Sequence, residues 1–320
     1  MKAYLGIDVG SVSTNLVVIN EDEEVIGSLY IRTQGQPIRV IQEGMKDLFP
    51  LLPSDIEIKG AGTTGSARHL AGIMIGADII KNEITAHAVA TSRYIPAVQT
   101  ILEIGGQDSK IIILRDGVVT DFAMNTVCAA GTGSFLDQQA YRLNIPIENF
   151  GNLALKSKNQ VRIAGRCAVF AESDMIHKQQ LGHSLEDIVA GLCEALVRNY
   201  LNNVGKGKEI LGPIAFQGGV AANMGIKIAF ERSLKQEVTI PKHFNVMGAL
   251  GAAILAREAS LRTGKKTKFK GFVVTDFNYK ARSFECKGCT NLCEVVQFYQ
   301  NDKIIARWGD RCGKWETMVV

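Results

Sequence analysis

Along the first hundred residues the apolar positions fall into short runs bounded by glycine, serine and asparagine, the pattern of strands joined by tight turns. Residues 3–10 and 15–20 predict a hairpin, 24–31 a third strand and 56–61 another, while 37–48 and 82–94 carry helical spacing. A second series of the same kind begins at Thr100, with strands over 100–106, 110–114 and 118–123 around an Asp116-Gly117 turn. Helical segments then cover 133–143 and 184–204. A last strand, 213–217, runs through Gly218-Gly219 into a helix ending near Leu234, and 248–261 is a small-residue helix suited to close packing. Two hairpin-led strand groups, each followed by helix, predict an internally duplicated α/β protein.

Composition fits this picture without changing it. The chain has 320 residues, 46% hydrophobic and 21% charged, enough for two domains with proper cores and too apolar for disorder. A formal charge of +4, from 36 basic and 32 acidic residues, marks neither a nucleic-acid nor a membrane-surface protein. No apolar run reaches the roughly 18 residues of a membrane span. The N-terminus enters a strand pattern at once, without signal-peptide architecture, so a cytoplasmic location is expected. Seven cysteines split into a scattered set, Cys128, Cys167 and Cys193, and a tight set, Cys286, Cys289, Cys293 and Cys312. In a reducing compartment such spacing predicts metal or cluster ligands rather than disulfides. Cys193, on an apolar helical face, reads as core.

Three glycine-rich turns each follow an apolar strand, and glycine lets a backbone approach phosphate closely while amides and hydroxyls donate to its oxygens. The first holds Asp8, Gly10, Ser11, Ser13 and Thr14; the second Gly105, Gly106, Gln107, Asp108 and Lys110; the third Gly218, Gly219, Val220 and Asn223. Asp8 and Asp108 occupy corresponding turns of the two repeats, where facing carboxylates would hold a hydrated Mg²⁺ and orient an attacking water. Lys110 would add a charge near the phosphates. No Walker A loop or Rossmann fingerprint is evident.

Taken in order, these turns resemble the phosphate-1, phosphate-2 and adenosine motifs of the actin, sugar-kinase and heat-shock-chaperone ATPase superfamily. The implied fold is α/β, an actin-like ATPase of two ribonuclease-H-like domains with ATP in the cleft between them. Residues 1–95 and 246–262 are expected to form one subdomain, 96–245 the other, and 263–320 a small cysteine-rich module. Within that superfamily, Asn125-Thr126-Val127-Cys128-Ala129-Ala130-Gly131-Thr132-Gly133-Ser134 and Gly165-Arg166-Cys167-Ala168-Val169-Phe170 resemble the cysteine segments of the activators of 2-hydroxyacyl-CoA dehydratases and benzoyl-CoA reductases. The resemblance runs from about Gly6 to Arg262. It implies a homodimer in which Cys128 and Cys167 of each copy hold one bridging [4Fe–4S] cluster. Ferredoxin or flavodoxin would be the electron donor and an iron–sulfur dehydratase or reductase, double-cubane proteins included, the acceptor. Each cysteine also begins a helical segment, where amide dipoles favour a thiolate, and two thiolates per chain need a second copy to complete a cubane.

Cys286-x2-Cys289-x3-Cys293 with Cys312 predicts a further metal site, either Zn²⁺ or a second iron–sulfur cluster, in a module joined by a solvated basic connector at 263–268. His87 lies in a segment similar to the family's first connecting helix, where a hinge role is expected. His69, His177, His183 and His243 lack ligand spacing. Two other functions suit the same fold: a sugar or small-molecule kinase, which needs no cluster, and an actin- or chaperone-like ATPase module acting through partners. Neither accounts for Cys128 and Cys167 in their contexts.

Overall fold

Each half of the chain begins with the same three-strand antiparallel meander and adds two parallel strands beyond its first strand. In the first half these are β1 (Lys2–Val9), β2 (Ser13–Asn20) and β3 (Val25–Arg32), then helix α1 (Pro37–Leu48), β4 (Glu57–Thr64), α2 (Arg68–Ile75) and β5 (Ile79–Ile80), in sheet order β3-β2-β1-β4-β5. Helix α3 (Glu83–Tyr94) leads to the second half: β6 (Thr100–Ile104), β7 (Ser109–Arg115), β8 (Val118–Asn125), α4 (Gly133–Arg142), α5 (Ile147–Ala154), α6 (Ala168–Gln180) and α7 (Leu185–Asn203). After β9 (Ile214–Gln217), α8 (Met224–Leu234) and β10 (Val238–Thr239), the order is β10-β9-β6-β7-β8, the same arrangement strand for strand. This computed structural model describes residues 1–125, 127–159 and 161–315. Thr126 of the first cysteine segment, Gln160, and residues 316–320 of the extension lie outside the described residues.

The central strand β1 is buried on both faces, as expected of a strand flanked by β2 and β4 and covered by helices. Leu5, Ile7 and Val9 join one core with α1 and α2, while Tyr4 joins another with α9 (Met247–Thr263). Gly6 lies on the α9 side, and a Cβ there would overlap the carbonyl of Ala249, so the bare backbone lets the small-residue face of α9 lie flat on the sheet. Up to residue 262 the sequence pattern located most long elements to within two or three residues. It gave no range for α6, thirteen residues long, and passed over α2 and α5, eight residues each, the two-residue strands β5 and β10, and the three strands that follow residue 278. Cys193 is buried in the core of the second half, and burial pushes its thiol up to about 12.

The extension folds as an antiparallel sheet of β11 (Tyr279–Glu285), β12 (Glu294–Gln300) and β13 (Lys303–Trp308). Its connector is not simply solvated. Asp78 accepts hydrogen bonds from Thr267 Oγ1 (2.6 Å) and the Lys268 amide (2.8 Å), and the Lys270 amide donates to Ile75 O at 2.9 Å. Beyond it, Val274, Tyr279, Phe298 and Ala306 are buried in the same core as Leu5, Ile41 and Met74. Gln42 of α1 reaches the carbonyls of Val274, Thr275 and Phe277 at 3.2, 3.1 and 2.9 Å. Because α1 and α2 present apolar faces that the first sheet alone leaves open, the extension covers them and becomes part of that half's core.

Candidate functional site

Corresponding hairpins of the two halves face each other across an open cleft. Both turns close alike: the Gly10 amide donates to Ser13 O at 2.9 Å, and the Gly105 amide donates to Asp108 O at 3.0 Å. Gly10, Ser11 and Ser13 line the cavity from one side, Gly105, Gly106, Gln107, Asp108 and Lys110 from the other, and Gly218 and Gly219 close one end. Val12 and Gly106 touch across the gap, since a Cβ on Gly106 would stand 2.7 Å from both Val12 methyl groups. An adjoining, more apolar pocket is walled by Gly106, Leu136, Ile147, Gly219, Val220 and Asn223, among others. Thr14 differs from the expectation. Its side chain is fully buried and bonded to Thr33 Oγ1 at 2.9 Å, where it braces the turn from behind.

The third turn has a counterpart that the sequence reading missed. Gly218 has φ +88° after β9, and Gly65 has φ +89° after β4, the equivalent strand. Side chains rarely adopt this region, and at Gly65 a Cβ would also collide with Asp8 Oδ1. Ser66 beside it lines the cavity and donates to Val9 O at 3.1 Å. The text Thr63-Thr64-Gly65-Ser66 after an apolar run was the available signal.

Asp8, the last residue but one of β1, stands between Gly65 and Gly248, and a Cβ on either glycine would strike its carboxylate. Burial raises its pKa to about 7, with the negative charge of Glu83 adding to the shift and Lys110 opposing it. Lys110 is buried, and its Nζ lies 3.0 Å from Glu103 Oε2, 3.0 Å from Asp108 Oδ1 and 3.5 Å from Glu83 Oε2. Burial works against its charge, but the three carboxylates outweigh that cost and hold its pKa above the usual lysine value. Glu103 is raised by burial in turn, with Lys110 countering. Glu83 and Glu103 were not singled out from sequence, although a charged residue inside the apolar run Thr100-Ile101-Leu102-Glu103-Ile104 was the visible clue. Removing the cation would strand a buried carboxylate, so Lys110→Met should destabilise the chain by about 3–5 kcal/mol, measured by denaturant unfolding near neutral pH; a loss within experimental error would show that the cluster of charges is solvated.

His87 of α3 is buried and bridges the halves: Gln217 Nε2 of β9 donates to its Nδ1 at 2.8 Å, and Thr91 Oγ1 lies 2.7 Å from Gln217 Oε1. Burial, then Lys110, lowers its pKa to about 4, so the ring is neutral and able to accept.

The two cysteine segments meet on the other side of the glycine turns. Cys128 precedes a short 3-10 turn, Ala129–Gly131, and then α4, whereas Cys167 caps α6 directly. The Cys128 Sγ lies 4.0 Å from the carbonyl of Arg166, the residue before Cys167. Asn125 fixes the first segment, accepting from the Cys128 amide at 3.0 Å and donating to its carbonyl at 2.8 Å. Both thiols are half-buried, and Val127, Val169 and Phe170 beside them are 95%, 68% and 66% exposed. A further link joins this region to the cleft: the Gly133 amide donates to Gly105 O at 2.9 Å, and the Ser134 amide and hydroxyl donate to Gly106 O at 2.8 and 2.6 Å.

The C-terminal cysteines are less well gathered. Cys286 is buried and accepts from Trp315 Nε1 at 3.2 Å, an interaction that lowers its pKa, while Cys289 and Cys312 are exposed. Among the described residues no three His, Cys, Asp or Glu side chains stand together as a metal-holding group. The expected four-thiolate site at Cys286, Cys289, Cys293 and Cys312 is therefore not assembled in this geometry.

Two lobes of duplicated topology meeting at opposed hairpin turns are the architecture of the actin-like ATPases. The chain belongs to the BadF/BadG/BcrA/BcrD ATPase family, whose sequence profile matches residues 5–256. Among its relatives, the (R)-2-hydroxyglutaryl-CoA dehydratase activating ATPase of Acidaminococcus fermentans is 36% identical over 265 residues, 80% of this chain and 98% of its own length. The activator of lactoyl-CoA dehydratase of Anaerotignum propionicum is 32% identical, over 80% of this chain and 98% of its own. A solved structure of the activator of 2-hydroxyisocaproyl-CoA dehydratase from Clostridium difficile, with bound ADPNP, superposes with a TM-score of 0.74 at 32% identity, covering 82% of this chain and 97% of that one. The profile match ends before the extension. Among the described residues no helix is long and apolar enough to cross a membrane.

Proposed function

We propose that this chain is an ATP-driven activator that takes an electron from ferredoxin or flavodoxin and delivers it at low potential to an iron–sulfur dehydratase or reductase. The observation that carries this reading is the shared backbone between cleft and cysteine loop. The carbonyls of the glycine turn accept from the first amides of α4, which follows Cys128, so a shift of Gly105-Gly106 toward bound phosphate pulls on the loop that presents the sulfur. ATP fits the cleft chemically: two glycine turns offer amides, and the buried Asn15 Oδ1 and Asn223 Nδ2, of residues that line the two cavities, have no partner among the described residues. Asp8 and Asp108 would hold Mg²⁺, which neutralises phosphate charge and orients the attacking water. Lys110 positions Asp108 more than it meets the phosphates, because its three nearest oxygens are carboxylate.

Cys128 and Cys167 would supply half the ligands of a [4Fe–4S] cluster shared with a second copy, and such a cluster stores and passes single electrons. Two half-buried thiols on segments that meet, each with exposed apolar neighbours in sequence (Val127, and Val169 with Phe170), suit a homodimer seam, where those side chains are covered. Residues 1–95 with 246–262 and residues 96–245 act as the two closing bodies, with α3 as the hinge element and His87–Gln217 as a contact between them. ATP shifts the balance only to the extent that it binds one arrangement better.

The test is anaerobic reconstitution of Cys128→Ser and Cys167→Ser. Each should lose essentially all bound iron and sulfide and the dimer-linked absorbance, while binding of a non-hydrolysable ATP analogue stays within about twofold. Full iron content in both variants would remove these residues from the ligand set, and loss of nucleotide binding would show that the two sites are not separable.

A further inference from the structure

We propose that Asn199 is a positioning residue that clamps the two cysteine segments together and, by donating a hydrogen bond to the Cys128 sulfur, tunes the potential of the group those sulfurs hold. This rests on the reading that Cys128 and Cys167 are cluster ligands.

Asn199 belongs to α7, whose other buried residues anchor the core of the second lobe, so its backbone is fixed. The residue is 3% exposed, and its side-chain amide reaches both loops. The Nδ2 group donates to Gly165 O at 2.6 Å, lies 3.4 Å from Arg166 O, and stands 3.6 Å from Cys128 Sγ. One buried side chain thus holds the segment leading into Cys167 and touches the sulfur of the other segment. Its orientation is set one turn along the helix, where Asn203 Nδ2 donates to Asn199 Oδ1 at 2.8 Å; that oxygen also lies 3.8 Å from Cys128 Sγ, so a protonated thiol can donate to Oδ1, whereas a thiolate or ligating sulfur can only accept from Nδ2. Gly131 closes the first loop over this amide, since a Cβ there would come within 2.7 Å of Asn199 Oδ1. The neighbouring Arg198 donates to Ile163 O at 2.6 Å, so α7 ties down the approach to Cys167 at two points.

A donor facing a ligating sulfur favours the state with more negative charge on that sulfur. Hydrogen bonds to cluster thiolates are therefore a lever on reduction potential, raising it. An electron-delivering protein needs that potential low, yet its cluster must remain reducible by its donor, and a single buried amide supplies a modest upward correction.

Asn199→Leu keeps the volume and removes the donor; Asn199→Asp keeps the shape and the acceptor for Asn203 but places an anion beside the sulfur. In anaerobically reconstituted dimer, both should shift the midpoint potential to more negative values, Asp more than Leu, with Asn203→Leu giving a smaller shift. In the cluster-free chain, amide hydrogen exchange over residues 163–166 should speed up several-fold in Asn199→Leu. An intact cluster with unchanged potential in both Asn199 variants overturns the tuning role. Unchanged exchange at 163–166 overturns the clamp, and this arm decides the matter should a variant fail to retain iron. Wild-type chain that takes up no cluster would instead sink the ligand reading, with the exchange comparison still testing the clamp.

Discussion

Asp8→Asn should make the nucleotide-free protein more stable near pH 8 while lowering ATP hydrolysis by about 10²–10³. The carboxyl of Asp8 is raised from 3.8 to about 7, burial first and Glu83 second, so between those values the folded chain keeps a proton that the unfolded chain has released. Stability contributed by this group consequently falls as pH rises from about 4 to about 7 and stays low above that. About three pKa units correspond to an upper bound of about 4 kcal/mol, reduced by whatever water reaches the half-buried side chain from the cleft. Asparagine cannot ionise, so the penalty vanishes near pH 8 and the two proteins converge near pH 4. Thermal melts at both pH values, without nucleotide or Mg²⁺, provide the check. A variant that is less stable at the higher pH would mean that the carboxylate is already compensated without a cation. If hydrolysis were undiminished, Asp8 would have no place in the Mg²⁺–water chemistry. The same titration predicts that wild-type turnover falls as pH drops through about 7 unless bound Mg²⁺ holds the carboxylate ionised.

Removing residues 264–320 should cost the first lobe its integrity. Val274 and Phe298 are fully buried and Tyr279 nearly so, and each such side chain contributes on the order of 1.5–3 kcal/mol. With them go the hydrogen bonds of Gln42 and Asp78 and the cover over Ile41, Met45 and Met74. The total, on the order of 5 kcal/mol or more, approaches the whole stability of an ordinary domain. The expected product is aggregation-prone, with rapid amide exchange in α1 and α2. Phe298→Ala in the full chain is the milder companion, expected to cost about 3–5 kcal/mol. A truncated chain that stays soluble with an unchanged melting midpoint would show that the extension is an independent module, as its composition suggested.

The sequence by itself carried the duplicated strand order, the long helices and the three glycine turns, because those features are local. Strand alternation, helical periodicity and the freedom of Gly10, Gly106 and Gly218 are written in neighbouring residues. It also named Asp8, Asp108, Cys128 and Cys167, each of which sits in a short distinctive text. Tertiary structure alone decided what those residues face. Glu103 and Asp108 meet Lys110 within one hairpin, whose register sets Glu103 opposite Lys110, but Glu83 arrives from helix α3, and no spacing in the chain encodes that third contact. Thr14 turned inward to Thr33 because the pleat of β2 assigns alternate residues to opposite faces. Asn199 looks like any polar position on a long helix until two loops, from some 35 and 70 residues upstream, fold against it. The extension gives the same lesson from the other side: a basic, cysteine-rich text reads as a separate module, but the open apolar faces of α1 and α2 recruit its Val274 and Phe298 into their own core, since exposed apolar area is covered by whatever chain the topology brings to it.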